Sequence, residues 1–341
     1  MKLDKCLSYD DVLLVPQYSD IKTRKEVDLS SKLDDSLTFS LPVISSPMDT
    51  VTESHMAAAM FRHGGFGVVH RYNTIEEQVK LLQTLDKLEP SSIKAAAVGI
   101  SGDYFERASE LVNAGAQILC LDVAHGHHVM MKSALKALRQ NFSVHLMAGN
   151  VATKEGFEDL AAWGANSVRC NIGGGSICST RVQTGHGMPG LQTILDCADS
   201  PLAQDVKVIA DGGLKSSGDI VKALGAGADF VMVGSLLAGS IETPGRIIVT
   251  KDGSSHKIYR GMASKSAQNS WRNKTSSIEG VSTTVPFKGP VGDILEELAV
   301  GVRSGLSYSG SRSITEFQSK AKFVIQTSAG QFESAAHILR R

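Results

Sequence analysis

The residues Asn171-Ile172-Gly173-Gly174-Gly175-Ser176-Ile177-Cys178-Ser179-Thr180-Arg181 lead a glycine-rich turn straight into a cysteine, with two hydroxyls and an arginine beside it. Glycines let backbone N–H groups approach a phosphate closely, and the same turn can aim carbonyls at a cation. N–H dipoles around a cysteine favour its thiolate, so Cys178 is a candidate nucleophile. The plainer alternative is a glycine-rich linker with a bystander thiol. Other residues able to do chemistry follow short apolar runs. They are Pro47-Met48-Asp49, His70-Arg71, Asp122-Val123-Ala124, Gly149-Asn150, Asp211-Gly212-Gly213 and Gly234-Ser235. Glu279 is an isolated carboxylate at the end of a polar stretch, either solvated surface or a proton carrier.

These groups need a scaffold, and the apolar runs supply one. Eight candidate strands are Val43–Ser46, Phe66–His70, Ala95–Ile100, Gln117–Asp122, Val144–Ala148, Ser167–Asn171, Lys207–Asp211 and Phe230–Gly234. They are continuously apolar, as strands of a parallel sheet covered on both faces should be. Helical patterns fit between them, such as Thr74 capping Ile75–Leu82. Three of the strands follow a Gly-Ala turn, at Gly115-Ala116, Gly164-Ala165 and Gly227-Ala228, each reading as a helix-terminating glycine. A repeated helix–Gly-Ala–strand unit predicts a (β/α)₈ TIM barrel, an α/β fold. A doubly wound open sheet is the alternative, weakened because no G-x-G-x-x-G follows the first strand. A barrel collects function at the C-terminal ends of its strands, and often binds phosphate after strands 7 and 8. That rule points to Gly212, Gly213, Gly234 and Ser235 for a phosphate. The expected layout is one barrel domain over residues 1–341. A polar lid spans about 251–288, a helix covers Val291–Ser304, and a C-terminal tail covers about 311–341.

Composition narrows the function classes. Of 341 residues, 42% are hydrophobic, and 35 Lys+Arg balance 35 Asp+Glu. No basic stripe accompanies the 6% aromatic residues, which argues against nucleic-acid binding. No apolar run approaches the ~20 residues of a membrane span. Cys6, Cys120, Cys170, Cys178 and Cys197 are scattered without C-x-x-C pairing, which disfavours disulfides and zinc and suggests a cytoplasmic location. His125, His127 and His128 cluster, but a metal would want a further defined ligand. They read as surface or cofactor-edge residues, and His186 as loop structure.

With these residues in view, the chain resembles the IMP dehydrogenase / GMP reductase family. The likeness runs in order through Leu7-Ser8-Tyr9-Asp10-Asp11-Val12-Leu13-Leu14, Pro47-Met48-Asp49-Thr50-Val51-Thr52, the Gly/Cys loop, Asp211-Gly212-Gly213, Gly234-Ser235, Tyr259-Arg260-Gly261-Met262 and Lys288-Gly289-Pro290. Dehydrogenases of this family usually insert a pair of regulatory domains after the second strand, and here none is present. The resemblance implies a purine mononucleotide across the barrel mouth. Its phosphate would lie on Gly212, Gly213, Gly234 and Ser235, its ribose on Asp211, and its base near Tyr259, Gly261, Met262, Ala263 and Gly280. Cys178 would attack purine C2, with Thr180 and Glu279 handling protons. Asp122, Val123, Ala124, Asn150 and Arg71 would meet the nicotinamide half of a dinucleotide. Separately, the basic run Thr23-Arg24-Lys25 would meet a 2'-phosphate from an adjacent subunit, or is equally well a solvated charge run. Carbonyls of Gly173, Gly175 and Cys178, with Arg181 beside them, would hold a potassium ion, and the assembly would be a homotetramer.

The two branches of the family differ in the fate of the adduct. A reductase deaminates GMP to IMP with NADPH, in purine salvage. A dehydrogenase oxidises IMP to XMP with NAD and water. Dehydrogenases activate that water with an Arg-Tyr pair on a longer flap. Residues 263–278 are short and contain no such pair, with Trp271-Arg272 as the only candidate substitute. The expectation is therefore a GMP reductase, with a dehydrogenase as the alternative. Ser276 stands where reductases usually carry an arginine, and Lys274 or Arg272 would have to serve instead. A catalytically silent nucleotide-binding regulator is a further reading, since a barrel alone does not fix function. An aldolase or isomerase would need a strand-end Lys or Glu base as persuasive as Cys178, and none is evident.

Overall fold

The computed structural model describes residues 3–272 and 278–334. Ser276 and Lys274 lie outside the described residues, and Arg272 is described in its backbone only. Eight parallel strands form a closed barrel: β1 (Val43–Ser45), β2 (Phe66–Val69), β3 (Ala95–Val98), β4 (Ile118–Asp122), β5 (His145–Val151), β6 (Ser167–Cys170), β7 (Lys207–Asp211) and β8 (Phe230–Val233). Strand β8 closes the ring on β1, with Val231 opposite Val43. All eight expected strands are present. Strand β5 runs on to Val151, with a register shift against β6 between Gly149 and Val151, so Asn150 sits on the strand and not past its end.

Side-chain alternation divides the core. Ile44, Phe66, Val68, Ala95, Ala97, Ile118, Cys120, Met147, Ile209, Phe230 and Met232 point into the barrel and pack together. Their neighbours, such as Val98, Leu119, Leu121, Val168 and Val231, pack outward against the helices. A hairpin (Ser31–Lys32 with Thr38–Phe39) plugs the N-terminal end, where Phe39 stacks on Phe66 at 4.4 Å between ring centroids. With that end plugged, the mouth at the C-terminal ends of the strands is the place for a site.

The helices α1 (Ser54–Arg62), α2 (Ile75–Leu88), α3 (Tyr104–Asn113), α4 (Val129–Asn141), α5 (Lys154–Ala162), α6 (Gly190–Ala198), α7 (Ser217–Gly225) and α8 (Val291–Ser307) surround it. Helix α2 starts on the expected cap: Thr74 Oγ1 accepts from Glu77 N, and the Glu77 carboxylate accepts from Thr74 N. The Gly-Ala turns also behave as read, since Gly115, Gly164 and Gly227 have φ of +90, +111 and +108. A Cβ on Gly227 would come within 2.4 Å of the Ala198 side chain, so glycine is required twice over there.

The polar stretch between β8 and α8 is not a bare loop. Strands β9 (Ile248–Val249), β10 (Ser255–Arg260) and β11 (Ser282–Pro286) form an antiparallel sheet, with a helix at Lys265–Arg272 between the last two. Strand β11 reads Ser-Thr-Thr-Val-Pro and is mostly exposed, so no apolar alternation announces it. Strand β10 is anchored from below by Lys257, only 2% exposed, whose Nζ donates to the carbonyls of Ser240, Ile241 and Thr243. Residues 311–334 also fold back. A helix (Ile314–Lys320) packs on α7 with Phe317 fully buried, and Phe323–Ile325 pairs antiparallel with Val12–Leu14. No described helix is long and apolar enough to cross a membrane.

Candidate active site

The loop after β6 is fixed by amides. Asn171 Nδ2 donates to the carbonyls of Asp211 (2.9 Å) and Gly212 (3.2 Å), while Asn150 Nδ2 donates to the Asn171 carbonyl (3.0 Å). The loops after β6 and β7 then touch backbone to backbone. A Cβ on Gly213, at φ +79, would stand 3.1 Å from the Gly174 carbonyl oxygen. The lid staples the loop from above: Ser179 N donates to the Glu279 carbonyl (3.0 Å), and Val281 N to the Ile177 carbonyl (2.9 Å). Cys178 is thus held by main-chain bonds on both sides, with its own side chain exposed.

Three expected catalytic residues form one line. Cys178 Sγ lies 3.1 Å from Thr180 Oγ1, and Thr180 donates to Glu279 Oε2 at 2.9 Å. Two of them come from the cysteine loop and one from the lid, 99 residues away. A thiol, a hydroxyl and a carboxylate in sequence can move a proton to or from a group bound at the sulfur, which is what nucleophilic catalysis requires.

Below them lies an ion network. Arg169, on β6, points into the barrel and bridges two carboxylates. Its Nη1 donates to Asp122 Oδ1 at 2.7 Å, and its Nη2 lies 2.9 Å from Asp211 Oδ2. Asn150 Nδ2 adds a bond to the same Asp211 oxygen (2.8 Å), and Tyr72 Oη donates to Asp122 Oδ2 (3.4 Å). Burial pushes the Asp122 carboxyl up, but Arg169 and then Arg71 outweigh it and hold it below the usual carboxylate range. Asp122 and Asp211 are therefore fixed acceptors at two places on one mouth.

The network opens into a cavity of about 460 Å³. The described lining includes Cys178, Thr180 and Glu279. It also includes the expected nucleotide residues Asp211, Gly212, Gly213, Gly234, Ser235, Tyr259, Gly261, Met262 and Ala263. Arg71, Asp122, Val123, Ala124 and Asn150 complete its other side. Gly234 lets two groups close in: a Cβ there would lie 3.0 Å from Tyr259 Oη and 3.2 Å from Met48 Sδ. Gly280 pairs with Cys178 and Ser264 and packs against the lining residues Gly261 and Ala263. Thr23 and Arg24 stand outside the cavity, on a turn packed against α8.

Gly173 and Gly175 line the cavity beside Cys178, but Arg181 does not. The Arg181 guanidinium donates to the carbonyls of Ile172 and Met188, and its own carbonyl accepts from Gly185 N. His127 pairs with Asp159 at 2.7 Å, and His128 caps α4. Among the described residues, no group of three or more His, Cys, Asp and Glu is arranged to hold a metal.

The sequence alone did not point to Arg169, Tyr72 or the Asp49–Arg260 pair. Arg260 grips the Asp49 carboxylate through Nε and Nη2 and donates from Nη1 to Ser270 Oγ (3.1 Å), tying the lid to the end of β1. A signal for Arg169 was present in Ser167-Val168-Arg169-Cys170. A cation inside a buried parallel strand must face a counter-charge, and the acidic strand ends supply it.

The family described as IMP dehydrogenase / GMP reductase domain matches residues 6–337. An inosine-5'-monophosphate dehydrogenase of Nitrosopumilus maritimus is 35% identical, covering 99% of each chain. The aligned stretch of 472 positions exceeds the 341 residues here, so that relative has segments without a counterpart in this chain. A GMP reductase of Leishmania major is 32% identical, covering 98% of this chain and 97% of its own. The crystal structure of a cysteine-to-alanine variant of GMP reductase from Trypanosoma brucei, in complex with guanosine 5'-monophosphate, superposes with a TM-score of 0.93. It is 32% identical and covers 98% of both chains.

Proposed function

Because the chain belongs to the IMP dehydrogenase / GMP reductase family of purine nucleotide oxidoreductases, we propose that it is a GMP reductase, converting GMP and NADPH to IMP, ammonia and NADP⁺. The observation that carries this reading is the Cys178–Thr180–Glu279 line, together with a lid sequence that has no Arg-Tyr pair to activate water. The thiolate adds to C2 of the purine. The exocyclic amine leaves as ammonia, taking a proton through Thr180 from Glu279, and a thioimidate remains on Cys178. Hydride from NADPH then adds at C2, the C–S bond breaks, and the thiolate is restored. Asp211 holds the ribose, and Gly212, Gly213, Gly234 and Ser235 accept the phosphate at the strand 7 and 8 ends, the customary phosphate position of a barrel. Asp122, fixed by Arg169, and Asn150, bonded to Asp211, orient the nicotinamide side.

Carbonyls of Gly173, Gly175 and Cys178 are hard oxygen donors suited to potassium, and on this reading they hold it. The Gly175 oxygen also accepts from Cys178 N, so an ion there would brace the nucleophile's own turn. The assembly is a homotetramer on the same reading, supported by the apolar residues Leu13, Val324 and Ile325 left exposed on the terminal ribbon.

The 35% identity to the Nitrosopumilus dehydrogenase favours the second reading, IMP to XMP with NAD. Following nicotinamide absorbance in both directions separates the two. GMP with NADPH loses the signal, and IMP with NAD gains none. The reverse pattern assigns the dehydrogenase, and binding without any absorbance change assigns a silent regulator. Run without potassium, the same assay slows if the cation braces the loop. Glu279→Gln retains the Thr180 contact but not the proton. It slows ammonia release about 10²–10⁴-fold, the span of a positioned acid–base group. Single-turnover hydride transfer from NADPH to the preformed adduct falls much less, and equal loss of both steps refutes the assignment.

A further inference from the structure

Resting on the reductase reading, the thioimidate on Cys178 has a second chemical outlet. Water adds at C2, the C–S bond breaks, and the thiolate returns, giving XMP with no redox change. Thr180 and Glu279, having given a proton to ammonia, are then in place to take one from that water. The acid–base group for hydrolysis is thus already present, and the other two lining carboxylates do not decide the matter, because Asp122 and Asp211 are both held by Arg169. The outcome depends on whether water reaches C2.

We propose that Tyr72 and Trp271 form an aromatic wall that keeps water from the Cys178 adduct, and so commits it to reduction. Both line the cavity that holds Cys178, Thr180 and Glu279. The Tyr72 ring is fixed on several sides. Trp271 meets it edge-on at 5.1 Å, the Arg71 guanidinium lies 5.0 Å from its centroid, and the His70 ring runs nearly parallel at 6.3 Å. Its hydroxyl donates to Asp122 (3.4 Å), so Tyr72 closes space without acting as a base. Burial pushes the phenol well above its ordinary range, in the same direction. Trp271 rides on the Lys265–Arg272 helix, which Arg260 ties through Ser270 to Asp49. One half of the wall therefore belongs to the barrel and the other to the lid. Cys178 itself is exposed, so the wall acts once the purine covers the sulfur, and it then protects the reactive intermediate by excluding water from its open side.

The test is Trp271→Ala, incubated with GMP but no NADPH, in water labelled with heavy oxygen. The variant forms XMP carrying the label. With NADPH added, its XMP-to-IMP ratio rises at least about tenfold over the unaltered protein, as expected when water gains access to a trapped intermediate. Trp271→Phe keeps the ring and the original partition. If Trp271→Ala binds GMP, consumes NADPH and yields IMP alone, the wall has no such role. If Trp271→Ala fails to bind GMP, Tyr72→Leu opens the same wall from the barrel side, and absence of labelled XMP there overturns the proposal. Failure of the unaltered protein to oxidise NADPH with GMP is a separate result, and counts against the reductase reading itself.

Discussion

Cys178→Ala abolishes turnover, by about 10⁴-fold or more, while GMP still binds. No second thiol can substitute. Cys178 is the one cysteine in the described cavity lining. Cys120 lies in the barrel interior with its thiol pushed up to about 11, mainly by burial, and burial raises Cys170 well above the usual range. Neither can offer a thiolate near neutral pH. On the proposed reading the phosphate and ribose contacts sit on the ends of β7 and β8, so binding survives. The loop survives because its staples are main-chain bonds that alanine retains. Calorimetry should therefore give a GMP affinity within a few-fold of the original, with the stability change inside about 0.5 kcal/mol expected of an exposed side chain. Residual steady-state turnover would end the covalent route, and loss of binding would show that Cys178 shapes the nucleotide site.

Arg169→Met produces the largest loss of stability, about 3–5 kcal/mol, because it leaves two carboxylates facing each other without their shared guanidinium. The lower half of that range applies, since Asp122 and Asp211 side chains remain 13% and 12% exposed. The pH dependence identifies the cause. In the native chain the Asp122 carboxyl is held below its unfolded value, about 3.9 for a free aspartate. Its contribution to stability is present above that value and is lost as pH falls through the lower folded pKa. Without Arg169, burial and the neighbouring carboxylate raise the folded pKa, so protonation relieves the variant. The gap between the two proteins, measured by denaturant unfolding, is widest at neutral pH and narrows in acid. A gap that does not change with pH would mean that Arg169 acts by packing alone.

The barrel was legible because its strands are buried on both faces. Such strands read as unbroken apolar runs, and the glycines that end the preceding helices mark where three of them begin. The placing of Cys178, the Gly-rich loops and Asp211 around one cavity was legible for a related reason: the barrel rule sends attention to strand ends. Two kinds of feature escaped. Strand β11 is Ser-Thr-Thr-Val-Pro in largely exposed surroundings, so hydrophobic periodicity has nothing to report there. Pairings between distant strand ends, such as Arg169 with Asp122 and Asp211 or Arg260 with Asp49, depend on which side chains face inward at one height. Alternation along Ile118, Cys120 and Asp122, and along Ile209 and Asp211, encodes that orientation. The height at which neighbouring strands meet is set by barrel register, which a single strand does not reveal.

The ribbon between Val12–Leu14 and Phe323–Ile325 joins segments from opposite ends of the chain. On the ribosome, the first of these strands emerges long before its partner is made. Throughout synthesis it is an open edge carrying Val12, Leu13 and Leu14, while the barrel can close without it through β8 and β1. A strand made before the whole barrel is thus satisfied only after it. Because these two end segments lie side by side, a short linker across them, with new termini cut at the exposed turn after α2, would make that pairing local and remove the wait.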